Sequence, residues 1–587
     1  MSHASMSRLA RAAWRGASAQ QGLVEAAGLA VTALPPQSAD AIVLGGGHNG
    51  LTAAAYLARA GLRVVVLERR HVLGGAAVTE ELFPGYKYSR ASYLAGLLRP
   101  QVVSELRLHD HGLKYLVRDP SSFTPSLPGS RHGGKSLFFY SSTEATQTSI
   151  AQFSARDAER FPAYEEFLGC MRRVISPLLD GPPPDLTSGN WRRRLASLGM
   201  ARDAAIAVAK TPAGTLASLA ELFTAPAAHV LDRWFESDMV KATLATDAVI
   251  GALVSPRTPG SGYVLLHHVM GQVAGRPGVW AYVEGGMGAL SNAIASAARA
   301  AGAHLHTNSE VEKILLNEAG TAVAGVRLTG GLAIAAPIVA SSATPMRTFV
   351  ELLDAGALPP SFTEHIRHTD YSCGAFKINL ALSCLPQFAC MPDAPPGVPG
   401  PQHRGTVHFE TSVDEIHEAY LDASAGRPAS RPVIEMTIPS ALDNTLAPAG
   451  CHVASLFVQF APYQLSGGSS WADEAFKTAF VDRVLDIVEE HCPGFRRSIL
   501  HIDALSPLDL ERVFGLHRGN IFHGSLSLHQ LAYNRPATGY SSYNTPVRGL
   551  YLAGSGSHPG GGVTGAPGRN AAAVILSDDG GDEVAWR

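Results

Sequence analysis

The stretch Asp40-Ala-Ile-Val-Leu-Gly-Gly-Gly-His-Asn-Gly50, with its continuation to Glu68, limits what this chain can fold into more than any other. Ala41 to Leu44 is an apolar run of buried-strand type, Gly45-x-Gly47-x-x-Gly50 is a tight turn, and Leu51 to Ala60 is a helix of small residues. Arg63 to Leu67 reads as a second strand that ends on an acid, Glu68. In such a unit Gly45 turns the chain, Gly47 lets a pyrophosphate approach the backbone, and Gly50 lets the helix pack close to the strand. Backbone N–H groups at the helix start hold the phosphate. Glu68, about 20 residues on, is placed to accept hydrogen bonds from an adenosine ribose with a free 2′-hydroxyl. The spacing predicts a βαβ dinucleotide site, and with it an α/β fold.

Composition narrows the partners. A chain of 587 residues, 46% hydrophobic and 17% charged, has room for several domains with a sizeable core. The net charge of −3, with no basic tract in the body of the chain, excludes a nucleic-acid partner. The six cysteines (170, 373, 384, 390, 451 and 492) show no CxxC spacing, so no cysteine pair is expected to relay electrons, and scattered thiols fit a reducing compartment. No apolar run reaches the roughly 18 residues of a membrane-spanning helix. The apolar helical stretch 194–222 is expected to be a buried helix pair, with peripheral membrane contact as the other reading.

Residues 1–39 read as a leader. Arg8, Arg11 and Arg15 share one helical face, Met6, Ala10, Trp14 and Ala17 another, and Glu25 is the only acid before Asp40. That is the signature of a mitochondrial transit peptide, with a disordered leader as the alternative, and it places the protein in the matrix or on the matrix face of the inner membrane.

Beyond Glu68, a second glycine pair in Gly74-Gly75-Ala76-Ala77 suits a backbone that must lie against a cofactor, which favours a flavin dinucleotide. From 121 to 274 the pattern is largely helical, opening at Ser154-x-x-Asp157 as a capping-box start. The α/β pattern returns at Tyr282-Val-Glu-Gly-Gly-Met-Gly-Ala-Leu290, and strands are expected at Val311 to Leu316, Val323 to Leu328 and Ile334 to Ala340. Phe376 to Leu382, Val433 to Ile438 and His452 to Phe460 suggest an antiparallel sheet, and Trp471 to His491 an amphipathic helix. The expected division is a cofactor domain from 40–120, 275–345 and 501–577, a substrate domain from 121–274 and 346–500, and a tail, 578–587. Near the C-terminus, Gly560-x-Gly562-x-x-Gly565 repeats the fingerprint, but only 22 residues follow Gly565, too few for a second nucleotide unit. A strand at Leu550 to Ala553 is expected to feed this loop and a helix from about Val563 to Leu576, whose positive end would face a reduced flavin.

With these pieces together, the chain resembles the phytoene desaturase and carotenoid isomerase group of FAD-dependent oxidoreductases, relatives of the amine oxidase fold, from about 38 to 577. The resemblance is carried by Val43 to Ala55, Leu67-Glu68 to Gly74-Gly75, the Glu284 to Leu290 turn, and Leu550 to Val563. It implies a Rossmann-like FAD-binding domain of the glutathione reductase or amine oxidase type with a discontinuous α+β substrate domain. It also implies FAD held by Gly45, Gly47, His48, Asn49, Gly50, Glu68 and Arg69 at the AMP and pyrophosphate end. Gly74, Gly75, Ala76 and Ala77 would lie near the flavin, Val311 by the adenine, and Gly554, Gly562 and Val563 at the ribityl and ring end. The chain departs from the family pattern at Ala76 and Gly554, so substrate preference does not follow.

The expected activity is electron or hydride exchange between FAD and a lipophilic substrate, with oxygen or a quinone as acceptor. Lys377, on an apolar strand, and His523, which titrates near neutrality when unperturbed, are the candidate catalytic groups, ahead of His267 and His268. The rival reading is a flavin-binding regulator or assembly partner that binds another protein without turnover.

Overall fold

The computed structural model describes residues 34–184 and 191–578; the Arg8, Arg11 and Arg15 face and all but the first residue of the expected tail lie outside the described residues. Four buried residues at Ala41–Leu44 and four at Val64–Leu67 form adjacent parallel strands, as consecutive apolar residues covered on both faces require. His304–His306, Ile338–Ser341 and Leu550–Leu552 complete a five-stranded parallel sheet in the order 304–306, 64–67, 41–44, 338–341, 550–552. The helices His48–Arg59, Met287–Ala300 and Ala566–Asp578 share a single core with it, through Leu51, Ala55, Leu290, Ile294, Ala572 and Ile575.

Four local expectations shift. The first helix starts at His48 rather than Leu51, and the C-terminal one at Ala566 rather than Val563, because Gly562 (φ +105°), Val563 (φ +60°) and Gly565 (φ +69°) all take left-handed backbone that no helix contains. The run expected at Ile334 to Ala340 is two strands, Ala333–Ala335 and Ile338–Ser341, parted at Pro337, which has no N–H to give. Ser154 does cap the helix Ala155–Ile175 by accepting from the Asp157 N–H, but the Asp157 carboxylate turns away from it and accepts the N–H groups of Glu236 and Ser237.

A second sheet carries the function. Its seven strands run in the order 499–505, 376–382, 452–459, 433–437, 406–408, 122–125, 136–139, antiparallel except between 406–408 and 122–125. The strand Ile499–Leu505 thus extends this sheet beyond residue 500, because Lys377 to Leu382 offer it a free edge. Successive residues of a strand face opposite sides. Phe376, Ile378, Leu380, Ile434, Met436, Leu456 and Val458 pack on the helix Glu474–His491 through Phe480, Val484 and Val488. The other face is polar: Lys377, Asn379, Glu435, Thr437, Ser455, Thr406 and His408, all buried. Among the described residues, no helix is long and apolar enough to cross a membrane.

Candidate active site

The glycine turn shows what each glycine is for. A Cβ on Gly50 would lie 2.1 Å from the Gly45 carbonyl oxygen, and one on Gly45 2.6 Å from Ser342 Oγ, so both are demanded by packing. Gly47 differs: a Cβ there meets nothing nearer than 3.8 Å. Its bare Cα faces a cavity of about 690 Å³. Gly47 caps the helix with no side-chain acceptor, and just inside it the buried His48 Nε2 and Asn49 Oδ1 have no partner among the described residues. Glu68 closes the strand end by accepting the N–H of Gly46 and of Arg70, each at 2.8 Å, with its carboxylate at the cavity wall.

The second glycine pair is held against this turn. Gly74 N–H donates to the Gly46 carbonyl at 2.8 Å, and a Cβ on Gly75 would lie 3.1 Å from the Gly47 Cα. A backbone cradle open on one side, a helix start with unpartnered polar atoms and an acid at the strand end fit an anionic dinucleotide. Of the residues expected to hold it, Gly45, Gly47, His48, Asn49, Glu68, Arg69, Gly75, Ala76, Val311, Gly562 and Val563 line the cavity. Gly50, Gly74, Ala77 and Gly554 do not: a Cβ on Gly74 would strike the Ala77 carbonyl at 2.6 Å, and one on Gly554 the Ser342 carbonyl at 2.4 Å. These four shape the backbone behind the lining, and Ser555, one residue past Gly554, reaches the wall instead.

The same cavity continues onto the polar face of the second sheet. Strand register sets His408 opposite Glu435, Glu435 opposite Phe457, and Phe457 opposite Lys377, one row across four strands. Tyr93 lies over this row. Its ring stacks on Phe457 at 5.8 Å, carries Lys377 Nζ 4.5 Å from its centroid, and its hydroxyl donates to Glu435 Oε2 at 2.7 Å. The residue before it, Ser92, donates its N–H to the Ala76 carbonyl, so the row is tethered to the second glycine loop.

Burial dominates the electrostatics here. It pushes Glu435 up to about 7, with Asp247 adding to the rise, and lifts Asp247 to about 7 against the pull of Arg118. It drives Lys377 down to about 7, although Asp503 and Glu435 favour the charged form. Lys377 also donates to Ser455 Oγ. Arg118 is fixed by donating to the Trp280 carbonyl at 3.1 Å and to Thr406 Oγ1 at 2.7 Å.

Of the two catalytic candidates, Lys377 sits in this row. His523 also lines the cavity, at φ +61°, but burial, with Arg535 and His48 nearby adding to it, pushes it down to about 3. The imidazole is neutral across the physiological range, and the near-neutral titration expected of it is absent. His268 lines the cavity while His267 stands behind Gly562. Sequence reasoning missed Tyr93, Arg118, Asp247 and Glu435. The one signal for Glu435 was an acid inside the apolar run Val433 to Ile438. None of the six cysteines, all in described residues, is disulfide-bonded or lines the cavity.

A parallel sheet with its glycine cradle, feeding one cavity floored by a separate antiparallel sheet, defines an FAD-dependent oxidoreductase with the amine oxidase type of fold. FAD is its cofactor. The chain belongs to the flavin containing amine oxidoreductase family, whose model matches residues 50–384. It is 50% identical over 545 residues to pyridine nucleotide-disulfide oxidoreductase domain-containing protein 2 of Rattus norvegicus, covering 92% of this chain and 93% of that one. One of the limonene dehydrogenase subunits of Castellaniella defragrans is 27% identical (92% and 95% covered), and the lycopene-forming phytoene desaturase of Pseudescherichia vulneris 25% (92% and 99%). A putrescine oxidase triple mutant of known structure superposes with a TM-score of 0.55 at 16% identity, covering 92% of this chain and 98% of that one, which speaks to the fold alone.

Proposed function

We propose that the protein oxidises a lipophilic substrate held between the glycine cradle and the polar row, in the manner of the phytoene desaturases, inside mitochondria. The observation that carries this reading is one continuous cavity, whose lining runs from Gly47 and Glu68 to Tyr93 and Lys377. Flavin, when bound, supplies the two-electron chemistry. The chain's residues bind and orient. Gly45, Gly47, His48 and Asn49 with Glu68 would hold the nucleotide end, and Gly75, Ala76, Gly562 and Val563 the ring end. Phe139, Leu97, Ile250, Phe457 and Phe522 give the cavity apolar wall for a lipophilic body and exclude water. Lys377, near neutrality as an amine, is suited to hold or release a proton beside Tyr93.

The names of two relatives, one for limonene dehydrogenation and one for phytoene desaturation, denote action on hydrocarbons and support a lipophilic substrate. Oxygen or a quinone is the proposed acceptor. Peripheral contact with the inner membrane is favoured by Leu195, Leu198 and Ile206, which are exposed on the helix Trp191–Ala209 with Arg202 beside them. The test is an absorbance spectrum of protein lacking residues 1–39, followed by anaerobic titration with polyenes, polyunsaturated lipids and amines. Flavin bands that bleach with a lipophilic ligand are expected. A colourless protein that takes up no FAD, as the regulator reading permits, defeats the proposal.

A further inference from the structure

Asp247 stands at the C-terminal end of the helix Asp238–Thr246, where the helix dipole disfavours a negative charge. It is half-buried, and it lines the cavity. Among the described residues its carboxylate has no hydrogen-bond partner. The preceding residue, Thr246, lies 3.3 Å by its hydroxyl from His408 Nδ1, which brings this helix end onto the row holding Glu435. Arg118, anchored on Thr406, faces the same space, and Lys377 caps Tyr93 nearby.

We infer that Asp247, Glu435, Tyr93, Lys377 and Arg118 form a station for a neutral oxygen group, so that the substrate is a lipophilic alcohol and not a bare hydrocarbon. The inference rests on the oxidoreductase reading above and names the substrate class for its cavity. A hydrocarbon filling this space would strip water from Asp247 and give it no partner, and a buried polar group left unsatisfied is destabilising. A formal charge fits no better. Two acids already face Arg118 and the Lys377 amine, so an ammonium would crowd Arg118 and Lys377, and a carboxylate would crowd Asp247 and Glu435. The site resists charge even in its own residues: burial holds both acids and the lysine near 7. A hydroxyl both donates and accepts. It can give its proton to Asp247 and receive a hydrogen bond from a cationic neighbour without adding charge.

The test uses the FAD-loaded chain and four probes on one carbon skeleton: limonene, perillyl alcohol, perillylamine and perillic acid. Binding is read from the flavin absorbance shift and, independently of flavin, from tryptophan fluorescence, since Trp280 lines the cavity. Perillyl alcohol is expected to bind at least tenfold more tightly than the other three, and Asp247→Leu to bring it within about threefold of limonene. Asp247→Asn, which keeps a polar amide, is expected to retain the preference. An alcohol that binds no more tightly than limonene, absence of binding by both included, overturns the inference. So does tighter binding of the amine or acid, or a preference that persists in Asp247→Leu. If Asp247→Leu does not fold, the four probes on the unaltered protein decide alone. Protein that takes up no FAD defeats the oxidoreductase reading; flavin-loaded protein without the alcohol preference defeats only the inference drawn here.

Discussion

The Tyr93 hydroxyl donates to Glu435 Oε2 at 2.7 Å, joining the loop behind Ala76 to the floor of the antiparallel sheet. Because burial raises the Glu435 carboxyl from 4.5 to about 7, the folded chain holds a proton there that the unfolded chain has released between those two values. The unfolded state then binds fewer protons, so this group's contribution to stability falls as pH rises through that window. Glu435→Gln removes the dependence. The difference in unfolding free energy between Glu435→Gln and the unaltered protein is expected to grow in favour of the variant from pH 5 to pH 8, by on the order of 3 kcal/mol, in urea titrations.

Lys377 tests the same principle with the opposite sign. Its amine is lowered from 10.5 to about 7, so above pH 7 the unfolded chain binds the proton that the folded one lacks, and stability from this group rises with pH up to about 10. Lys377→Met is therefore expected to be most stabilising relative to the unaltered protein near pH 6, with the advantage shrinking by a few kcal/mol towards pH 10. Denaturant midpoints across that range are the check.

Gly47 and Gly50 separate cofactor binding from folding. A side chain on Gly47 has open space in the cavity, whereas one on Gly50 strikes the Gly45 carbonyl. Gly47→Val is expected to leave the melting temperature of FAD-free protein within a few degrees and to lower FAD affinity at least tenfold. Gly50→Ala is expected to destabilise the FAD-free protein itself by about 1 to 3 kcal/mol. Calorimetric melting with and without FAD measures both.

Glu68 holds two backbone N–H groups, of Gly46 and Arg70, and shapes the turn as well as the ribose end. Glu68→Ala leaves both donors without an acceptor and is expected to cost about 1 to 3 kcal/mol of stability together with a 10- to 100-fold loss in FAD affinity. Glu68→Gln, which keeps one acceptor oxygen, is expected to recover more than half of the stability.

His523 does not set the pH response of the site. With its imidazole at about 3, His523→Gln is expected to leave unchanged between pH 6 and 8 the pH profile of flavin reduction by whichever ligand bleaches the bands. A loss of an inflection in that range on substitution contradicts the assignment.

The cofactor half was legible because its signals are local. A strand of four apolar residues, a turn whose glycines fall at fixed offsets, and an acid at the next strand end are all set by backbone sterics within one βαβ unit, so the order of residues along the chain specifies them. Even there, sequence could not separate Gly47, which opens to the cavity, from Gly50 and Gly554, which are required by close backbone approach: both demands select glycine. The glycines around 560–565 are visible in the sequence, but the left-handed backbone of Gly562, Val563 and Gly565 is not, and it delays the last helix to Ala566.

The substrate half was written in the sequence only as alternation. The runs around Phe376, Val433 and His452 determined by themselves that strands would form with one apolar face. What faced what was decided by tertiary structure. Glu435 shares a row with His408 and Lys377 because strand register aligns them, Tyr93 lies over it because the loop tied to Ala76 brings it there, and Asp247 joins them because the helix Asp238–Thr246 ends beside that row. Register and helix docking are fixed by contacts between residues far apart in the chain, and burial in the resulting cavity, not residue type, moves these acids and the lysine to neutrality.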